Sequence, residues 1–335
     1  MKTVPPAIGM SESAHEGGHP IGGDKKAEYG GVLGWLLGQP FPYSMTTRNV
    51  VLALLMLSVI VLFWDPLISL YSLSQTQEHY SHIVLIPWIS LYALFVSRTA
   101  ILSSKEGSPL LGVMLVGLGI FGWREADPQI YGGDYLSMMM LSFVICCWGI
   151  FLFCYGVQPL KPCLFGLLFL MFMVPLPAVA LSAVVGFLQR SSAEVTDIVF
   201  AQLGIPFFRQ GFVFSLSNFT VQVAEECSGI RSALSLVITS FVAGHFFLRS
   251  PWGKLGLVAV VVPLAIVKNA FRIVGLSLLA NYVDPSFVTD SALHRYGGIP
   301  LFLASLAILF SIVWLLRKLE KHRGYYSSNE MPVAV

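Results

Sequence analysis

Charge is what this chain lacks. Only 11% of its 335 residues are Asp, Glu, Lys or Arg, against 56% hydrophobic, and the mean hydropathy is +0.75. A soluble domain carries roughly 25% charged residues. Charge this sparse, combined with repeated long apolar runs, excludes an ordinary soluble domain and indicates an integral membrane protein in contact with a lipid bilayer. The net charge is +2, so nothing points to a nucleic-acid partner. Cysteine is scarce as well. Cys146, Cys147, Cys154 and Cys163 lie within or beside apolar runs, form no Cys-x-x-Cys pair and read as small packing residues. Cys227, the fifth, stands apart in a polar setting. No apolar core follows Met1, which argues against a cleaved signal peptide. No cofactor is called for.

What is present is a series of apolar runs long enough to cross a bilayer. They fall near 48–66, 82–98, 108–124, 135–157, 162–188, 228–248, 254–281 and 297–316. The expected fold is therefore an all-α membrane protein of about eight transmembrane helices. Pro175 and Pro177 should kink or end the fifth run, leaving an interfacial piece from about Ala178 to Arg190. Residues 1–45 are polar and read as a mostly disordered cytoplasmic tail, 46–316 as the membrane domain, and 317–335 as a short second tail.

Lys and Arg in short loops set the orientation. Lys25, Lys26, Arg48, Arg98, Lys105, Lys161, Arg249, Lys254, Arg317, Lys318, Lys321 and Arg323 fall on one side, the cytoplasmic one by this rule. The opposite loops are poorer in cations: 67–81 has none and 125–134 only acids. Both termini are then cytoplasmic, and the loops carrying Cys227 and His294 are extracytoplasmic. In the long loop 189–227, Phe212–Leu216 and Phe219–Val223 flank Ser217-Asn218, which predicts a short β-hairpin delivering the chain to Cys227.

Three polar groups then call for explanation. Cys227 lies at the mouth of a helix, with Arg231 one turn on, and both favour thiolate over thiol. Lys268, Asn269 and Arg272 lie inside an apolar span, where ionisable groups are costly. Arg272 is 18 residues beyond Lys254, or ~27 Å at about 1.5 Å per residue, near the outer edge of the hydrocarbon. Lys268 shares its face by i, i+4 spacing and has Glu225 or Glu226 as candidate partners. His294 precedes the last span; His82, entering the second span from the same side, is a second candidate base or a capping residue. A thiolate, an imidazole proton shuttle and a guanidinium fork suit acyl transfer through a thioester. His82, Cys227 and His294 share no local ligand spacing, which speaks against a metal site.

Glu226-Cys227-Ser228-Gly229-Ile230-Arg231-Ser232, Asn269-Ala270-Phe271-Arg272-Ile273, and His294 with Gly298 four residues on resemble the cysteine, arginine and histidine motifs of the exosortase/archaeosortase family, in the family's order. Tyr80-Ser81-His82 through Pro87-Trp88-Ile89-Ser90, and Gly204-Ile205-Pro206 with Arg209-Gln210-Gly211, also look like family features. The resemblance spans about 45–316. It implies a polytopic membrane cysteine protease/transpeptidase acting on membrane-anchored proteins that carry a C-terminal sorting signal: a short PEP-like motif, a transmembrane helix and a basic cluster. Such enzymes pass the substrate to an acceptor, often in exopolysaccharide or envelope assembly, in the inner membrane. By carry-over Cys227 is the nucleophile, Arg272 the oxyanion or thiolate partner and His294 the acid/base, with Glu226, Ser228, Arg231, Asn269, Lys268 and His82 in support. Some relatives carry a further domain after the last helix, whereas this sequence stops soon after Tyr326, so any role of that domain is expected elsewhere.

Two other readings compete. In a transporter or channel, Lys268 and Arg272 would line a pathway, but one Pro-broken span and no internal repeat fit that poorly. A non-catalytic assembly factor would tolerate loss of Cys227, Arg272 and His294 together. Oligomeric state, sorting motif and acceptor are not written in a single sequence.

Overall fold

The computed structural model describes residues 39–40, 44–104, 106–217, 220–223, 228–284 and 298–322. Residues 1–38 and 41–43 of the expected N-terminal tail, Glu225, Glu226, Cys227, His294, Asn218 and Phe219 of the predicted hairpin, and the chain beyond His322 lie outside the described residues; Gln39–Pro40, placed in that tail, forms a short strand.

The fold is helical throughout, with two small sheets. Among the described residues, six stretches are long and apolar enough to span a membrane: Met45–Leu62 (α1), Glu78–Val96, Pro128–Tyr155, Ile230–Phe247, Pro251–Tyr282 and Gly298–His322. The second is a 3₁₀ turn, Glu78–Leu85, leading into α3 (Ile86–Val96), and the third contains a short α6 (Pro128–Tyr131) before α7 (Tyr135–Tyr155). A bent pair, Leu160–Met173 and Ala178–Gln202, counts as a seventh span if taken together. The expected eighth is α5 (Pro109–Glu125), which is 17 residues long. Two further helices, α2 (Trp64–Thr76) and α4 (Arg98–Ser103), extend the ends of neighbouring spans.

The proline break falls where expected. α8 (Leu160–Phe169) and its 3₁₀ extension stop at Met173, and α9 (Ala178–Gln202) leaves at 90°. The short interfacial piece ending near Arg190 is corrected, because α9 runs 25 residues to Gln202. Hydropathy falls at Arg190, Glu194 and Asp197, but the helix continues as an amphipathic one. Leu188, Ala193 and Phe200 are buried while Arg190 and Glu194 face outward. Arg209 draws the charged side in, 3.2 Å from Asp197 and 3.7 Å from Glu194.

Three apolar clusters organise the packing. The first joins α1–α3, α7 and α8, with α5 against α7. The α5/α7 contact is set by small residues. A Cβ at Gly112 would lie 2.5 Å from the Phe153 Cβ, and one at Gly149 would lie 2.7 Å from the Val116 backbone nitrogen. In lipid, where apolar burial gives little drive for helix pairing, such close backbone approach provides the dispersion contact. Cys146, Cys147, Cys154 and Cys163 are all free thiols buried in this region, the packing role expected of them. The second cluster joins the start of α9 to α10 (Ile230–Phe247), α11 (Pro251–Tyr282) and α12 (Gly298–His322).

The third cluster packs the second half of α9 and the end of α11 against a three-stranded antiparallel sheet. With Gln39–Pro40 (β1) and Glu106–Gly107 (β2) forming a separate two-residue pair, its strands are β3 (Phe208–Gln210), β4 (Val213–Ser215) and β5 (Thr220–Gln222). β4 and β5 are the predicted hairpin, with Phe214 opposite Val221. β3 is an addition, paired to β4 through a tight turn in which Gly211 takes φ +58. α11 is 32 residues long, about 48 Å at ~1.5 Å per residue, so it outreaches a hydrocarbon core of about 30 Å and carries its last turns into this third cluster.

Candidate active site

The site is best built from α11, whose mid-to-late turns put Lys268, Asn269 and Arg272 on one stripe. Lys268 and Asn269 are 7% and 1% exposed. Arg272 is half-buried, with its Nε shielded from solvent. Two cations four residues apart in an apolar helix repel each other and are each costly in lipid, by about 2.5–3.5 kcal/mol on insertion scales. Ionisable groups so placed make this stripe a candidate functional site.

Three other elements converge on the stripe. From α9, Ser192 accepts a hydrogen bond from Asn269 Nδ2 at 3.1 Å. From α10, the Ser232 hydroxyl pairs with Lys268 Nζ. Gly229, the residue before α10, fits directly against Asn269. A Cβ there would lie 2.8 Å from the Asn269 Cγ and Oδ1, and the backbone is left-handed with φ +78. Both facts demand glycine. From α12, the first residue, Gly298, sits so that a Cβ would be 3.9 Å from Arg272 Nε.

The flanks of the cysteine loop are held in turn. Upstream, the Val223 N–H donates to Phe212 O at 2.9 Å, and the Val223 carbonyl accepts from the side-chain amide of Gln189. Downstream, Ser228 is 1% exposed and its Oγ accepts from the Ile230 N–H at 3.4 Å. Gly229 O takes the Ala233 N–H at 3.0 Å and the Ser232 hydroxyl at 2.9 Å. Gln189 thus holds the upstream side of the loop that carries Cys227 directly, and Ser192, three residues on along α9, fixes Asn269, against which Gly229 packs on the downstream side. Hydropathy singled out neither: Ser192 fell beyond the expected helix end at Arg190, and Gln189 fell in its last turn with no partner legible in the sequence. The available signal was polar residues at helical spacing beside Leu188 and Ala193 on one face.

The remaining candidates divide. Arg231 reaches away from the stripe to Glu78, at 2.8 Å, in a pair exposed at both ends. That contact fastens the 3₁₀ segment before α3 to the start of α10. His82 lies four residues beyond Glu78 on that segment and is half-buried. Among the described residues, Lys268 meets a hydroxyl and no carboxylate.

A polytopic helical bundle, broken by a proline bend and carrying a Lys-Asn-Arg stripe on the helix whose end packs against a small sheet, is a membrane protein with polar groups set into one of its spans. The chain belongs to the transmembrane exosortase family, whose profile matches residues 71–311. Membership gives it a membrane transpeptidase-type role in general. No curated protein matches the chain, nor does any solved structure.

Proposed function

We propose that the chain is a membrane-embedded cysteine transpeptidase in which Cys227 is the nucleophile, His294 the general acid/base and Arg272 the oxyanion partner. Its substrates are exported, membrane-anchored proteins bearing a C-terminal sorting signal of the PEP-like kind. The Cys227 thiolate adds to the scissile carbonyl, and the oxygen takes the developing negative charge beside the Arg272 guanidinium. Collapse breaks the C–N bond as the His294 imidazolium protonates the leaving amine, leaving a thioester. An acceptor nucleophile from the envelope, deprotonated by His294, then attacks the thioester carbonyl and releases the thiolate. Asn269 positions the loop through Gly229, and Lys268 adds positive potential. Ser228 borders the cysteine, Glu226 is its other neighbour in sequence, and His82 is a second candidate base, whereas Arg231, paired with Glu78 at the surface, takes no part.

The observation that carries this reading is that one turn of α11 is met from two sides. Gly229, two residues after Cys227, packs on Asn269, and Gly298, four residues after His294, lies where an added Cβ would come to 3.9 Å from Arg272 Nε. The arrangement belongs on the extracytoplasmic side of the cytoplasmic membrane, with both termini inside, by the distribution of Lys and Arg among the loops. In cells, Cys227→Ala and Cys227→Ser are expected to leave a signal-bearing partner protein uncleaved while the variant still inserts in the membrane. Normal cleavage by either variant removes the proposal.

A further inference from the structure

At the opposite end of α11 from Arg272, a cavity of about 300 Å³ opens where α8, α10 and α11 meet. That volume lies at the small end of ligand pockets, about 300–1,000 Å³. Its walls are Phe165 on α8, Phe241 and Gly244 on α10, and Val258 on α11, with Phe241 and Leu255 exposed at the rim. Two groups in it are polar and basic. Lys254 roots in the narrow gap between the helices, its Cα and Cγ within 3.8 Å of a Cβ position at Gly244. His245 stacks flat on Phe165, with ring centroids 3.8 Å apart and planes at 5°. None of the lining residues is acidic. Glu320, the nearby carboxylate, is committed to the first turn of α11, where it accepts the Arg249 and Ser250 N–H groups at 3.0 Å each. Trp252, 77% exposed two residues before Lys254, marks this end as the level of the membrane interface.

We propose that this cavity binds one anionic phospholipid, with the Lys254 ammonium on the phosphate and the upper acyl chain along Phe165, Phe241 and Val258. The chemistry is the complement of what lines it: a cation at interface depth above an aromatic and aliphatic wall that faces lipid. A basic peptide segment is disfavoured, because its charge repeats that of Lys254. Arg272 is 18 residues away along α11, ~27 Å at about 1.5 Å per residue, so the lipid sits in the other leaflet from the proposed catalytic centre and does not depend on it.

Native mass spectrometry of the full-length protein decides the matter. The protein is equilibrated with mixed micelles of phosphatidylglycerol and phosphatidylcholine bearing the same acyl chains. The wild type should retain phosphatidylglycerol at least five-fold over phosphatidylcholine. Lys254→Gln should lose that preference, Lys254→Arg should keep it, and Val258→Trp, which fills the cavity, should lose bound lipid of both kinds. Arg98→Gln removes an exposed cation elsewhere and should behave as wild type. An unchanged lipid ratio in Lys254→Gln, an equal loss in Arg98→Gln, or a retained peptide in place of lipid would overturn the assignment.

Discussion

Single residues divide into groups that touch the proposed chemistry and groups that merely lie near it. Arg272→Lys keeps the charge and removes the planar fork. Because oxyanion donors act through fixed geometry, substrate cleavage should fall by about 10²–10³-fold, measured as turnover of a signal-bearing substrate in vesicles. Arg231 was drawn into the site by its spacing from Cys227, but its partner is Glu78 at the surface. Exposed pairs contribute ~0–1 kcal/mol, so Glu78→Gln should shift stability by less than about 1 kcal/mol and leave cleavage within about two-fold. Gly229→Ala meets both a left-handed φ and the Asn269 side chain. The φ strain alone is roughly 1–2 kcal/mol. Cleavage should drop at least ten-fold while the variant still reaches the membrane. The Lys268, Asn269 and Arg272 stripe was legible in the sequence because such residues are unusual inside an apolar span. The partner of Arg231 was not, since nothing local links it to a residue 153 positions away.

At the scale of elements, the apolar runs and the proline break were readable, because lipid forces backbone hydrogen bonds into helices and rewards length. The β4–β5 hairpin was readable too, from alternation. The second half of α9 and strand β3 were not. Their stability comes from tertiary partners, the third apolar cluster and the Arg209 pairs to Asp197 and Glu194, which no window of hydropathy contains. α9 also supplies a test of how the cysteine loop is held. Gln189→Leu leaves the buried Val223 carbonyl without its amide donor, at about 1–3 kcal/mol. It should reduce kcat more than it raises KM, since the loop carrying the proposed nucleophile is displaced rather than the substrate contacts. Between α5 and α7, glycine positions differ sharply. Gly149→Ala places a methyl 2.7 Å from backbone and should lower the melting temperature in detergent, whereas Gly117→Ala meets nothing within 4 Å and should be neutral or slightly stabilising.

For the whole molecule, the long α11 is the common support. It spans the membrane, is capped at one end by Glu320, and at the other presents Lys268, Asn269 and Arg272 to segments arriving from α9, α10 and α12. The sequence conveyed the order of these segments but not their convergence, which depends on how the helices cross. The central claim is that Cys227 carries the substrate as a thioester, and acid-quenched mass spectrometry during turnover tests it most directly. Purified enzyme is mixed in vesicles with a membrane-anchored, signal-bearing substrate, quenched within the first turnovers and digested. The account predicts a peptide containing Cys227 heavier by the N-terminal substrate fragment, released by hydroxylamine and absent from Cys227→Ala. Continued cleavage with Cys227 unmodified at every time point, or in the Cys227→Ala variant, would contradict it.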